Sequence, residues 1–181
     1  MTTRAVVAFL LIAVLSHPVV AQHSGPYAGF EQRPIKTLSA QQIDDLRQGR
    51  GMGLALAAEL NGYPGPLHVI ELAQGLELTD LQLVRARALF DAMKRETIPI
   101  GERLITQETD LDNLFASRTI TPETLSIAAA AIGNTNAALR AAHLKYHLAM
   151  LDVLTQPQLQ RYSELRGYAG VTDPHGHDRR H

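Results

Sequence analysis

The sequence contains no cysteine and no tryptophan. Without cysteine there is no disulfide scaffold, no thiol nucleophile and no cysteine-based zinc or iron–sulfur site. Aromatic residues make up only 5% of the 181 positions. That is an unusual composition for an enzyme built around a cavity, and it suits thin helix-on-helix packing of Leu and Ala. An excess of one charge is also missing, since 17 Lys and Arg face 18 Asp and Glu for a net −1. The chain therefore lacks the basic block of a nucleic-acid module. Hydrophobic residues reach 45% and charged ones only 19%, which argues against a disordered chain. The length suits one domain of ordinary size.

The first segment, Met1–Ala21, reads as an address. Arg4 supplies a positive start, Ala5–Leu15 is an unbroken apolar run, and His17-Pro18 ends it. Val19-Val20-Ala21 then places small residues at the −3 and −1 positions before Gln22. This is the pattern of a secretory signal with cleavage expected after Ala21. A stable membrane anchor needs ~20 apolar residues, and Pro18 interrupts too early for one.

Residues 22–37 hold early Gly and Pro breakers and no sustained period, and are expected to form an extended arm. From Leu38 to Tyr168 the pattern is helical almost throughout, with no period-2 strand run. Breaks are expected at Gly49–Gly53, Gly62–Pro66, Gly75–Leu78, Arg118–Pro122 and Leu154–Pro157. Residues 169–181 form a short, flexible, His-containing tail by composition. The expected fold class is all-α, a long antiparallel helical hairpin with additional short helices.

Three helix starts share one grammar. Leu38-Ser39 precedes Gln42, Leu78-Thr79 precedes Gln82, and Leu154-Thr155 precedes Gln158. In such a capping box the hydroxyl accepts from the N3 amide while the Gln reaches back to the N-cap amide, with an apolar staple on either side. Thr121-Pro122 starts a further helix with Pro in its first turn. Seven-residue rows run through Leu83, Phe90, Thr97, Leu104 and Leu111, and through Leu125, Ile132, Leu139, Tyr146 and Val153. Apolar rows at that spacing favour near-antiparallel pairing. Pro99 inside the first row is expected to bend or interrupt its helix, as a plain kink or as deliberate curvature.

Leu78-Thr79-Asp80-Leu81-Gln82 and Leu154-Thr155-Gln156-Pro157-Gln158 are two copies of LTxxQ bracketing one hairpin. Behind a signal peptide, this arrangement resembles the Spy/CpxP family of bacterial periplasmic proteins, which includes ZraP-type zinc-associated members and CnrX-type heavy-metal sensors. The resemblance covers about Leu67–Tyr168. It implies a small helical protein that dimerises into a curved cradle. Members bind unfolded clients without ATP, restrain an envelope-stress sensor, or bind divalent metal. The Leu38–Glu59 segment and its Gly51-Met52-Gly53 joint have no counterpart in the short chaperone members. The joint lacks the ending of a phosphate loop and reads as a flexible connection.

His143 and His147 lie four apart on one helix face, close to Tyr146 and Met150. Two imidazoles at that spacing can hold a divalent transition ion (zinc, nickel, cobalt or copper) if further ligands join them. His68 and Glu71 stand on a short preceding helix that could fold back to the same end. CnrX-type sensors similarly draw a His from the helix before the hairpin, and a His and a Met from the last turns of its second helix. By that resemblance Met150 matches the Met and His68 falls near the first His, while Tyr146 stands at the late His position with His147 beside it. The alternative for His143 and His147 is packing and hydrogen bonding at the helix edge. His175, His177 and His181 in the tail can take up metal loosely.

No enzyme constellation emerges. His143–His147 lacks the Glu of a zinc-protease helix, and Ser117, Ser126 and Ser163 have no triad partners. Glu102, Glu108, Asp110 and Asp112 read as a solvated face with no cleft for acid–base work. Arg85, Arg87, Lys94, Arg95 and Arg103 form no phosphate track. The expected function is that of a non-enzymatic periplasmic chaperone or envelope-stress adaptor. Its expected partners are unfolded clients or a sensor's periplasmic domain, and it needs no cofactor. The alternative is a heavy-metal resistance or sensor protein.

Overall fold

The computed structural model describes residues 25–168. Among them stand a 3₁₀ turn at Phe30–Gln32, six α-helices and no strand. The helices are α1 (Ala40–Arg47), α2 (Leu56–Glu59), α3 (Pro66–Glu71), α4 (Asp80–Ala116), α5 (Pro122–Met150) and α6 (Gln156–Leu165). The fold is all-α, and every expected break separates two of these helices. The signal segment and the terminal His cluster lie outside the described residues.

Helices α4 and α5 form the long hairpin. Its antiparallel sense is visible in paired positions: Gln82 reaches the Val153 carbonyl, Glu96 takes the Lys145 ammonium and the Tyr146 hydroxyl, and Leu104 shares a core cluster with Leu139. At 37 residues and ~1.5 Å per residue, α4 is roughly 55 Å long. It runs unbroken through Pro99. Pro99 and Arg95 are both exposed, so water can satisfy the Arg95 carbonyl that loses its amide partner. The second heptad row ends early, because α5 stops at Met150 and Val153 lies in the turn beyond it.

All four sequence-read starts carry reciprocal caps. Ser39 with Gln42, Thr79 with Gln82, and Thr155 with Gln158 are complete boxes, and Thr121 forms one with Thr124. The hairpin turn closes through Arg118 at φ 57. There the amides of Arg118 and Thr119 bond back to Phe115 and Leu114.

Two clusters make the core. One holds Ile35, Leu38 and Leu46 against Leu104, Ile105 and Leu139 at mid-hairpin. The other, at the root, gathers Val69, Leu76, Ala86, Met150, Leu154 and Tyr162. The segment preceding α1 is not an extended arm over its described part. It winds through turns that bury Ile35, and Lys36 and Thr37 reach Asp112 and Glu108 on α4 at 3.2 and 2.9 Å. Apolar burial outweighs the breakers here.

Helix α1 approaches α4 so closely that Gly101 has no room for a side chain. A Cβ there would stand 2.7 Å from the Leu46 carbonyl oxygen.

Candidate functional site

The short elements between α1 and α4 fold back on the root of the hairpin and bring together groups distant in sequence. At their centre is Glu59, a carboxylate in the apolar stretch Leu54–Leu60, with its side chain only 6% exposed. Its Oε1 accepts from the Tyr162 hydroxyl, and from Tyr168 and His68 Nδ1, each at 3.2 Å. The Arg166 guanidinium lies 3.4 Å from the same oxygen. Its Oε2 accepts the Gly65 amide at 3.2 Å and has His147 Nδ1 at 3.7 Å. Burial pushes the Glu59 carboxyl up, but hydrogen bonds from His68 and Tyr162 and the neighbouring imidazoles outweigh it and hold it at about 2. The Tyr162 hydroxyl, buried against that anion, is pushed far above its ordinary range.

His147 donates from Nδ1 to the Tyr63 carbonyl at 2.7 Å. Gly65 makes this approach possible, since a Cβ there would meet the imidazole at 3.0 Å. His143, one turn earlier, is buried at 2% exposure. Burial, reinforced by the His147 charge, lowers its pKa, so the ring is neutral near pH 7. Its Nε2 is buried without a hydrogen-bond partner among the described residues. Such an orphan costs ~1–3 kcal/mol.

Glu59, His68, His143 and His147 border a cleft of about 470 Å³, lined also by the Gly49–Gly53 joint, Leu56, Leu67, Phe90, Met93 and Lys94. Neither the low aromatic content nor the carboxylate pattern suggested a cleft. It exists because the joint and α2–α3 stand off from the hairpin as a third layer. The joint is also less free than its three glycines imply. Met52 holds φ 44, a left-handed conformation strained for a side-chain-bearing residue.

The sequence-read metal residues divide among different surroundings. His68, His143 and His147 border the cleft. Glu71 is exposed on α3. Met150 is fully buried in the root cluster, and Tyr146 gives its hydroxyl to Glu96 at 2.8 Å. Among the described residues, no three His, Asp or Glu side chains are arranged to hold a metal ion. His147 follows the helix-edge reading, with a hydrogen bond, whereas His143 is buried with Nε2 unpaired. Sequence reasoning missed Glu59 and its partners Tyr162, Arg166 and Tyr168. The available signal was a lone carboxylate in an otherwise apolar segment, which must find partners when buried.

The LTxxQ pair does more than cap. Gln82 Nε2 donates to Gln158 Oε1 at 2.7 Å and to the Val153 carbonyl at 2.9 Å. Gln158 Nε2 donates in return to Gln82 Oε1 at 3.1 Å and to the Leu76 carbonyl at 3.2 Å. The two boxes interlock at the root, tying the start of α4 to the start of α6. Leu78 and Leu154 flank this junction within the root cluster.

At the opposite end, only the two hairpin helices stand among the described residues. Helix α5 buries no residue before Thr135, and α4 none after Ile105. Phe115, Leu125 and Ile127 are 54%, 41% and 64% exposed. No described helix is long and apolar enough to cross a membrane. Comparison with family models, curated proteins and solved structures returned no match.

Proposed function

We propose that this chain is an exported, ATP-independent chaperone or envelope-stress adaptor that engages unfolded or partner proteins on the distal part of its helical hairpin, in the manner that the Spy/CpxP resemblance implies. The observation that carries the reading is the bare tip, where Phe115, Leu125 and Ile127 stand exposed beside Asp110, Arg118 and Glu123. Apolar side chains set among mixed charges hold an aggregation-prone chain weakly and release it without nucleotide. A homodimer would join two such surfaces into a larger one.

The test is the aggregation of a reduced, denatured globular protein followed by light scattering. The purified chain should delay aggregation at equimolar to several-fold excess. The triple variant Phe115→Ser, Leu125→Ser, Ile127→Ser should lose most of that delay while keeping its helix content. No delay at several-fold excess of the unaltered chain overturns the reading.

A second reading, a divalent-metal binder, is supported by the two imidazoles of His68 and His147 that share Glu59. Calorimetric titration with zinc, nickel, cobalt and copper tests it. If deletion of Val171–His181 abolishes all binding, the internal imidazoles are not ligands.

A further inference from the structure

The cleft at the root has a composition that the client-binding reading does not use. Its volume of about 470 Å³ falls within the ~300–1,000 Å³ of small-molecule sites. Its apolar walls come from three separate parts of the chain. The joint supplies Met52, the short helices supply Leu56 and Leu67, and α4 supplies Phe90 and Met93. Met52, Leu56 and Leu67 are 42%, 54% and 40% exposed, so the apolar rim is left to water. Small-molecule sites combine such walls with a few convergent polar groups.

The charges around the cleft are unevenly matched. Arg50 is engaged by Asp45 and Asp44. Glu59 has both oxygens occupied and Arg166 beside it. Lys94, which stands 5.7 Å from the Phe90 ring centroid, has no carboxylate partner among the described residues. A cationic ligand would find no free carboxylate at the lining, whereas an anion would find a free ammonium beside an aromatic face. The buried His143 imidazole also borders the cleft, with Nδ1 and Cε1 turned toward Gly51.

We infer that this cleft binds a small amphipathic organic anion, with its apolar body against Met52, Leu56, Leu67, Phe90 and Met93 and its anionic head on Lys94. The inference is independent of client binding at the tip.

The experiment uses the purified exported chain and 1-anilinonaphthalene-8-sulfonate, an aromatic anion whose fluorescence rises in apolar surroundings. Decanoate, decylamine and decanol, each below its aggregation concentration, serve as competitors. The expected result is saturable binding of one equivalent, with decanoate displacing the probe at least tenfold more effectively than the amine or the alcohol. Lys94→Gln should weaken decanoate about tenfold and leave decanol unchanged. Gly51→Phe should abolish binding, because Gly51 faces His143, with its Cβ position 3.6 Å from the imidazole. Should Gly51→Phe fail to fold, Leu56→Glu places an opposing charge at an already exposed rim position and should weaken decanoate by a similar factor.

Absence of saturable binding overturns the inference. So does binding of several equivalents that folded Gly51→Phe or Leu56→Glu leaves unchanged, or an amine bound as tightly as the carboxylate. Suppression of client aggregation should be unaffected by Lys94→Gln, which separates failure of the cleft from failure of the tip.

Discussion

The root and the tip of the hairpin are built from the same two helices with the same apolar spacing, yet they differ in almost every physical respect. At the root Val69, Met150 and Tyr162 are wholly buried, and six donor groups surround one carboxylate. At the tip the corresponding heptad residue Leu111 and its neighbour Leu114 are half-buried, and Leu125 is exposed. The difference lies in the third layer. Helices α1, α3 and α6 and the turns before α1 cover the root and middle, whereas nothing in the described chain covers the tip. A seven-residue row supplies an apolar stripe, but the stripe stabilises only what another element packs against it.

The sharpest way to break this comparison is at Glu59. Glu59→Gln leaves Arg166 and His68 facing an uncharged group in a buried site, and should cost about 3 kcal/mol in urea unfolding. The same residue gives the root a pH dependence. Folded Glu59 titrates at about 2, against 4.5 without the fold. Its contribution is therefore complete above pH 4.5 and is lost as pH falls toward 2, a difference of roughly 3 kcal/mol at about 1.4 kcal/mol per pH unit. Unfolding free energies measured between pH 5 and pH 2 should fall more steeply for the unaltered chain than for Glu59→Gln. Parallel slopes would remove Glu59 from the centre of the root.

Next in size is Gly101→Ala. The added methyl would press on the Leu46 carbonyl, and overpacking of this kind costs ~1–3 kcal/mol, more than the ~1 kcal/mol of helix propensity gained over Gly. A fall in melting temperature is expected. A rise would show that α1 can move away from α4.

The interlocked glutamines test whether the two LTxxQ boxes act together. Gln82→Ala and Gln158→Ala should each cost about 1–2 kcal/mol. The double variant should cost less than their sum by ~0.5–1 kcal/mol, because the shared hydrogen bonds can be lost only once. Simple additivity would reduce the motif to two separate caps. Thr79→Ala and Thr155→Ala should each cost about 1 kcal/mol through the caps alone.

The smallest stability effect belongs to the tip. Phe115→Ser, Leu125→Ser and Ile127→Ser should each stay within about 0.5 kcal/mol of the unaltered chain, while client holding falls. A large loss of stability would mean that the tip is already covered in solution, as a dimer interface would require, and melting temperature against protein concentration would reveal it.

Much of the architecture was legible because it depends on local chemistry. A hydroxyl with Gln three residues on and apolar residues to either side marks the starts at Ser39, Thr79 and Thr155, and a Thr followed by Pro marks the one at Thr121. Gly49 and Gly167, both at positive φ, follow α1 and α6 at the stops that Gly favours. The turns before α1 misled because Gly and Pro composition carries no information about Ile35 finding an apolar seat on the hairpin. His68, His143 and His147 were recognised as a group, and they do border one cleft. The carboxylate between two of them was not, because Glu59 meets His147, Tyr162 and Tyr168 across gaps of 88, 103 and 109 positions.

Local sequence was enough to make this chain helical, to mark the starts of α1, α4, α5 and α6, and to pair its two longest segments as a hairpin. Helix starts, stops and amphipathic stripes are properties of a few neighbouring residues. Long-range packing set the rest: the LTxxQ glutamines bond to each other, Glu59 is a buried hub, and a cleft opens beside Lys94 while no other described element covers the tip. Each of those depends on which distant elements form the third layer, and that is set by packing across the whole chain.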